Sequence, residues 1–145
     1  MKIGLKCLVV VLLLSGLALS QIGQQEYKPK FPGDPARSDT EASALGYMRV
    51  VVNAQKLYSK KHSGKYATSL SALVGQGSFT KRMTNTDRGE YKVRFRGNGE
   101  DYSVWLTPTT VTPTTRAFYV NNKGSIRAEE DKEAGPESPI LKADS

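Results

Sequence analysis

The chain has 145 residues and a net charge of +7, so its length predicts one small domain with a modest core. A single cysteine, Cys7, excludes a disulfide framework, and a single histidine, His62, excludes a His-rich metal site. We therefore predict no metal and no cofactor.

The positive charge is concentrated in the middle of the chain. Residues 38–128 contain fourteen Lys and Arg against six Asp and Glu, whereas residues 129–145 contain two against six. A basic body attracts polyanions, although excess charge also keeps a domain soluble. Solubility is the interpretation we favour from charge alone, with polyanion binding as the alternative.

The first twenty residues have the pattern of a cleavable signal peptide. A basic stretch ending at Lys6 precedes the apolar run Cys7–Leu14, and Ala18-Leu19-Ser20 has the small residues that signal peptidase accepts. The run is shorter than the about 20 apolar residues that span a membrane. The sequence predicts cleavage after Ser20, no transmembrane span afterwards, and a mature protein exported to the periplasm or the medium.

Residues 21–37 predict an extended linker. They contain Pro29, Pro32 and Pro35, and proline at this density prevents both helix formation and strand pairing. Such a linker could hold the domain away from a surface, or it could be an unstructured mature N-terminus.

The stretch from Asp39 to Tyr66 predicts a long amphipathic helix and its exit. Ser38 and Glu41 fit a capping box, and Gly64 suits the left-handed residue that ends a helix. His62 lies in this exit, where an exposed terminal residue is a better interpretation than a ligand or base. The predicted buried face consists of Leu45, Met48, Val51, Val52, Ala54, Leu57 and Tyr58. The opposite face consists of Arg49, Asn53, Lys56 and Lys60.

Strict alternation over residues 90–96 predicts a strand, and Asn98-Gly99 favours a two-residue type I′ turn into the next strand. That turn would fix the register of the hairpin and give it one apolar face. The expected apolar pairs are Phe95 with Tyr102, Val93 with Val104 and Tyr91 with Leu106. The expected pairs on the other face are Arg96 with Asp101, Arg94 with Ser103 and Lys92 with Trp105.

A second hairpin is predicted from Ala117–Asn121 and Ser125–Ala128. The Thr- and Pro-rich residues 107–115 connect it to the first hairpin, and their threonines are weak candidates for glycosylation. One helix followed by strands predicts an α+β domain over residues 38–128, with a long N-terminal helix packed on a roughly four-stranded antiparallel sheet. Residues 129–145 are acidic and predict a disordered tail.

Two short patterns resemble a known family. They are Tyr58-x5-Gly64-x-Tyr66-Ala67-x-Ser69-Leu70-x2-Leu73 and Arg116-Ala117-Phe118-Tyr119-Val120-x3-Gly124-x-Ile126-Arg127. In this order and spacing they resemble the globular part of type IV pilins and type II secretion pseudopilins, over residues 41–127. The resemblance implies a helical spine with an antiparallel sheet. The chain departs from the family at its N-terminus, which lacks the prepilin peptidase motif and its glutamate.

These observations lead to one expected function and two alternatives. We expect an exported, non-enzymatic pilin-like module that binds a protein or surface of the bacterial cell envelope, or has a structural role there. The first alternative is a subunit of a type IV pilus or type II secretion pseudopilus, bound to other subunits. An enzyme is not expected, because adjacent Glu100 and Asp101 would point to opposite faces of a strand.

The second alternative is nucleic-acid or polyanion binding through the outer face of the sheet. Lys92, Arg94 and Arg96 would supply charge for phosphates, and Trp105 a ring for stacking. A solvated strand surface, with Trp105 covering the Lys92 and Arg94 stems, is favoured because stacking platforms usually contain several aromatic residues.

Overall fold

A computed structural model describes residues 26–143 as an α+β fold, in which one helix packs on a five-stranded antiparallel sheet. The predicted signal peptide and its cleavage site lie outside the described residues. Within that part of the chain, no helix is both long and apolar enough to span a membrane. The elements are α1 (Asp39–Lys61), β1 (Asp87–Arg88), β2 (Tyr91–Gly97), β3 (Tyr102–Pro108), β4 (Ala117–Asn121) and β5 (Arg127–Glu129).

The α+β class is confirmed, and the sheet differs from the prediction by one strand. The strands lie in chain order, each antiparallel to the next, and the additional strand is the two-residue β1 at one edge. Short helical turns at Ser71–Leu73 and Lys81–Thr84 connect α1 to this sheet. Residues 26–38 precede α1, so the helix is not N-terminal in the described chain, which corrects the prediction.

Helix α1 begins at the predicted cap, but only half of the capping box forms. Glu41 N donates to Ser38 Oγ over 3.1 Å. The Glu41 carboxylate accepts from Arg37 N at 2.8 Å instead of from Ser38 N. It turns inward because the buried Arg116 guanidinium holds it there.

The two faces of α1 follow the predicted pattern. Leu45, Met48, Val51, Val52 and Ala54 are buried, whereas Leu57 and Tyr58 are half-buried. The helix ends at Lys61, and Gly64 has the expected positive φ, 83°. The core lies between α1 and the inner face of the sheet, which contributes Tyr91, Val93, Tyr102, Val104, Leu106, Phe118 and Val120.

The β2–β3 register differs from the prediction by two residues. Gly97 lies opposite Tyr102, and four residues, 98–101, form the connection. The turn is wider because Asn98 Oδ1 accepts from the backbone N–H groups of Glu100 and Asp101, each at 2.9 Å. A shift of two residues keeps every side chain on its predicted face and changes only its partner. The new pairs are Phe95 with Val104, Val93 with Leu106, Arg94 with Trp105, Arg96 with Ser103 and Lys92 with Thr107.

The second hairpin agrees with the prediction in its turn and differs slightly in its last strand. Strand β4 has the predicted bounds, and Gly124 adopts a φ of 79° in the turn. Strand β5 begins two residues later than predicted, at Arg127, and Ile126 packs against the core from the turn side.

Both flanking segments pack on the domain, in contrast to the predicted linker and disordered tail. Asp34 and Ala36 are buried before the helix, and Ala134 and Ser138 are buried after β5. Residues 139–141 return along β5, where Ala128 N donates to Pro139 O over 3.0 Å. Residues 130–138 thus form a loop across the sheet, which we call the covering loop. The packed unit is wider than residues 38–128.

Candidate functional site

The four residues predicted to bind polyanions all lie on the outer face of the sheet. Lys92, Arg94 and Arg96 are exposed on β2, and Trp105 is half-buried on β3. The register places Arg94 opposite Trp105, with the guanidinium carbon 4.1 Å from the ring centroid. The structure therefore brings these two residues together as a stack. Lys92 and Arg96 lie opposite Thr107 and Ser103 instead.

Two of these cations already have acidic partners. Lys92 Nζ lies 2.5 Å from Asp87 Oδ2, and this hydrogen bond is the main cause holding the pKa of Asp87 below its ordinary value. Arg94 forms an ion pair with Glu133 of the covering loop. Arg96 alone of the three has no acidic partner in residues 26–143. The face is consequently much less basic than the sequence of β2 predicts.

The covering loop occupies the aromatic part of the same face. Its Ala134 is 2% exposed and packs in a cluster with Ala117 and Tyr119, beside Trp105. The Trp105 and Tyr119 rings have centroids 5.3 Å apart. The sequence did not predict this packing, because the loop is acidic and a single alanine makes its apolar contact.

A buried ion pair connects the start of α1 to the start of β4. Glu41 Oε1 accepts from Arg116 N at 2.9 Å and Nε at 3.0 Å, and Glu41 Oε2 accepts from Nη2 at 2.8 Å. Pro35 O accepts from the same Nη2 at 2.7 Å. The charged groups of Glu41 and Arg116 are thus paired with each other inside the fold. The sequence showed both residues, in the cap and in the second motif, but gave no signal that they meet.

Asp34 holds the segment before the helix. Its carboxylate accepts from Lys30 N at 2.9 Å, from Ala36 N at 3.1 Å and from the Tyr27 hydroxyl. Burial would raise the pKa of Asp34, but these hydrogen bonds outweigh burial and leave that pKa below its ordinary value. Burial, with the same hydrogen bond to Asp34, raises the pKa of Tyr27 to about 12.

The buried amide of Gln55 fixes the segment after the helix. Its Oε1 accepts from Ala67 N at 2.8 Å, and its Nε2 donates to Ala67 O at 3.2 Å. Across the described chain, every buried side-chain nitrogen and oxygen has a hydrogen-bond partner. These buried polar groups hold the fold together through hydrogen bonds within the chain.

His62 is exposed at the end of α1, as predicted. Its ring stacks on Tyr58 with 3.7 Å between centroids, and its Nδ1 lies 2.7 Å from Tyr58 O. No group of three or more His, Cys, Asp or Glu residues suited to a metal ion occurs within 26–143.

A polar groove of about 790 Å³ lies between the first turns of α1 and residues 80–91. Cations and anions both line it, including Lys81, Arg82, Arg88 and Glu90. Arg88 is partly engaged, because its guanidinium carbon lies 4.3 Å from the Tyr47 ring centroid. Opposite charges within one open groove favour water over an ionic ligand.

Exposed positive charge is concentrated in α1 and in the segment that follows it. Residues 42–86 contain seven Lys and Arg and no Asp or Glu. Arg49, Asn53, Lys56 and Lys60 are all exposed on α1, and we call them the helix stripe. None of its three cations forms an ion pair with an acidic residue of the described chain. Within the described residues, the helix stripe thus has three cations without an acidic partner, whereas the outer face of β2 has one, Arg96.

Comparisons with protein-family models, with curated proteins and with solved structures gave no match to this chain.

Proposed function

We propose that the protein is an exported, non-enzymatic module with a pilin-like domain, which serves as a binding or structural protein of the bacterial cell envelope. One observation carries this proposal: residues of both resembling patterns make structural contacts, either at the exit of the helix or between the helix and the sheet. In the first pattern, Gly64 has a positive φ just after the end of α1, and Ala67 forms two hydrogen bonds with Gln55. In the second, Arg116 pairs with Glu41 and Phe118 lies in the core.

The use of the buried polar groups supports a non-catalytic role. A general acid or base needs a carboxyl or imidazole that can reach a substrate proton. Here Glu41 and Asp34 are buried and accept hydrogen bonds from the chain itself, and His62 stacks on Tyr58. Each of these groups already has a structural contact that explains its position.

Membership of a type IV pilus or type II secretion pseudopilus is the second candidate. It is favoured by the order of the elements, one long helix followed by antiparallel strands. In such a subunit the apolar residues 8–19 would be retained and would join the fibre. Polyanion binding through Lys92, Arg94, Arg96 and Trp105 has one favourable observation, the stack of Arg94 on Trp105.

N-terminal sequencing of the protein from separated cell fractions tests the proposal. We expect a mature chain that begins at Gln21, in the periplasm or the medium. Recovery of residues 8–19 in a membrane or fibre fraction would contradict the proposal and favour the subunit. Co-purification with secretion-system subunits would point the same way.

A further inference from the structure

We propose that the helix stripe is a docking surface for a membrane rich in anionic phospholipid. This inference rests on the proposed function, because an exported domain meets such a surface from outside the cytoplasm. The envelope component that the domain binds would then be the anionic membrane surface, and the helix stripe would bind it.

The helix stripe is continuous and faces away from the core. Steps of four, three and four residues place Arg49, Asn53, Lys56 and Lys60 within one narrow sector of the helix. At the usual rise, the sector extends along about 16 Å of α1. Val51, Ala54 and Gln55 of the same stretch are buried on the opposite side of the helix. A flat surface can therefore approach the stripe without opening the fold.

The charge of this surface has one sign. Residues 42–86 contain no acidic residue, and no cation of the stripe forms an ion pair with an acidic residue of the described chain. Asp34 acts electrostatically on Arg49, but it is buried and held by its own hydrogen bonds. At the end of the helix, Lys61 donates to the neutral Gln76 side chain over 3.1 Å. The stripe is thus complementary to a layer of negative charge.

An exposed aromatic ring lies beside the stripe. Phe31 is 44% exposed, and the Arg49 guanidinium carbon is 5.2 Å from its ring centroid. Aromatic rings next to Lys and Arg are the usual composition of surfaces that lie at the membrane interface. The ring would enter the headgroup layer while the cations remain at its phosphates.

A small cleft of about 140 Å³ adjoins the stripe. It lies between Arg49, Asn53 and Lys56 on the helix and Gly124 and Ile126 near the β4–β5 turn. Two cations and an amide donor around a space of this size suit one phosphate group. A lipid headgroup presents its phosphate singly and can move laterally into such a cleft.

The same observations favour a membrane over a nucleic acid. Binding of single strands needs several rings on which bases stack. Phe31 is the aromatic residue that we find beside the cations of the stripe, and Arg49 already covers one of its faces. Most of the charge comes from lysines, which act as mobile point charges and do not require a fixed pattern of phosphates.

Vesicle co-sedimentation tests the inference, with protein isolated from the producing cells and its N-terminus determined. We expect salt-sensitive binding to vesicles of phosphatidylglycerol and phosphatidylcholine, and little binding to phosphatidylcholine alone. A Lys56→Gln/Lys60→Gln variant should bind about 25-fold more weakly, because each basic residue at an anionic surface contributes about fivefold. The matched control, Lys92→Gln/Arg94→Gln, removes the same charge from the outer sheet face and should bind like the original.

Three results would overturn the inference: equal binding to both kinds of vesicle, an equal loss in the control, or tighter binding to a single-stranded oligonucleotide. Thermal unfolding of each variant establishes that it is folded. The mature N-terminus is determined independently, so vesicle binding can fail while the proposed exported module stands. Retention of the apolar residues 8–19 would overturn the proposed function. It would not count as evidence of binding through the helix stripe.

Discussion

The ion pair between Glu41 and Arg116 joins residues 75 positions apart at the interface of helix and sheet. Both side chains are almost completely buried, at 0% and 7% side-chain exposure. A buried pair is weak evidence of net stabilisation, because removing two charges from water is costly. The pair matters because replacing either residue alone would leave the other one buried without its partner.

We predict that Arg116→Met lowers the free energy of unfolding by about 3–5 kcal/mol, because it leaves the Glu41 carboxylate buried without its partner. The double variant Glu41→Leu/Arg116→Met should lose less than the two single losses combined. Urea denaturation measures both quantities. Lys92→Gln is the control and should lose much less, since its pair with Asp87 is exposed. Strict additivity of the two single losses would contradict a buried, coupled pair.

Asp34 gives the domain a predictable dependence on pH. Its pKa in the folded protein lies below the ordinary 3.8, so the stabilisation is complete above that value and is lost as pH falls through the folded pKa. Asp34→Asn should therefore be less stable than the original at neutral pH, and the difference should narrow in acid below pH 3.8. Denaturation curves across that range measure it. The exposed Glu137→Gln should retain the original profile, and a constant deficit of Asp34→Asn at every pH would refute the assignment.

At the scale of elements, the end of β2 depends on a close contact with the segment after α1. A Cβ atom on Gly97 would lie 2.6 Å from the Ala67 carbonyl oxygen and 3.2 Å from Thr68 Cα. The Tyr66 N–H also donates to Gly99 O over 2.8 Å. The hairpin turn is consequently docked on this segment, which helps to explain the four-residue connection.

Gly97→Ala should lower stability by about 1–3 kcal/mol, because backbone must move to make room for the methyl group. Gly46 is the matched control, since a Cβ there meets nothing within 4 Å and the residue lies inside α1. Gly46→Ala should raise stability by about 0.5–1 kcal/mol through its helix propensity. Chemical denaturation of both variants measures the contrast. Similar changes in both would show that the contact with Ala67 is not restrictive.

The packing of the covering loop was not predicted from the sequence. Trp105 is the single tryptophan of the chain and lies beside this loop, so its fluorescence can be used to follow the packing. Ala134→Asp would place a charge in the apolar contact with Tyr119 and Trp105. We expect the Trp105 emission to shift to longer wavelength and trypsin to cleave faster after Lys132. Glu137→Ala, an exposed change in the same loop, should do neither. Unchanged emission and protection in Ala134→Asp would show that the loop does not depend on this packing.

Sequence patterns predicted the elements well where the signal was local. The Ser38 cap, the apolar spacing from Leu45 to Ala54 and the turn at Gly124 each act within a few residues, and each was found. The β2–β3 register was wrong by two residues, because the Asn98 side chain and the docked turn outweighed the intrinsic preference of Asn-Gly.

The features that the sequence did not predict depend on non-local contacts. The pairing of Glu41 with Arg116 and the return of residues 139–141 along β5 require knowledge of the folded chain. Composition alone predicted a disordered tail, yet its acidic residues Glu130 and Glu133 pair with Arg37 and Arg94. The candidate binding residues on β2 were thus placed on the correct face, but the pairing of Arg94 with Glu133 of the tail was missed.

Across the whole domain, the helix layer and the sheet layer differ in whether their cations have acidic partners. In the sheet layer, Lys92 is paired with Asp87, and Arg94 is paired with Glu133 of the covering loop. Among the residues that the structure describes, the cations of the helix stripe have no such acidic partner. We therefore expect the domain to approach an anionic surface with α1 foremost and the sheet turned away.

Site-specific fluorescence tests this orientation most directly. In a Cys7→Ser background, an environment-sensitive dye is attached at Asn53→Cys on the helix stripe or at Arg96→Cys on the outer sheet face. Both positions are exposed, so labelling leaves the core intact. With vesicles containing phosphatidylglycerol, we predict a blue shift of the dye at position 53 and none at position 96. A shift at position 96 alone, or equal shifts at both, would contradict the account.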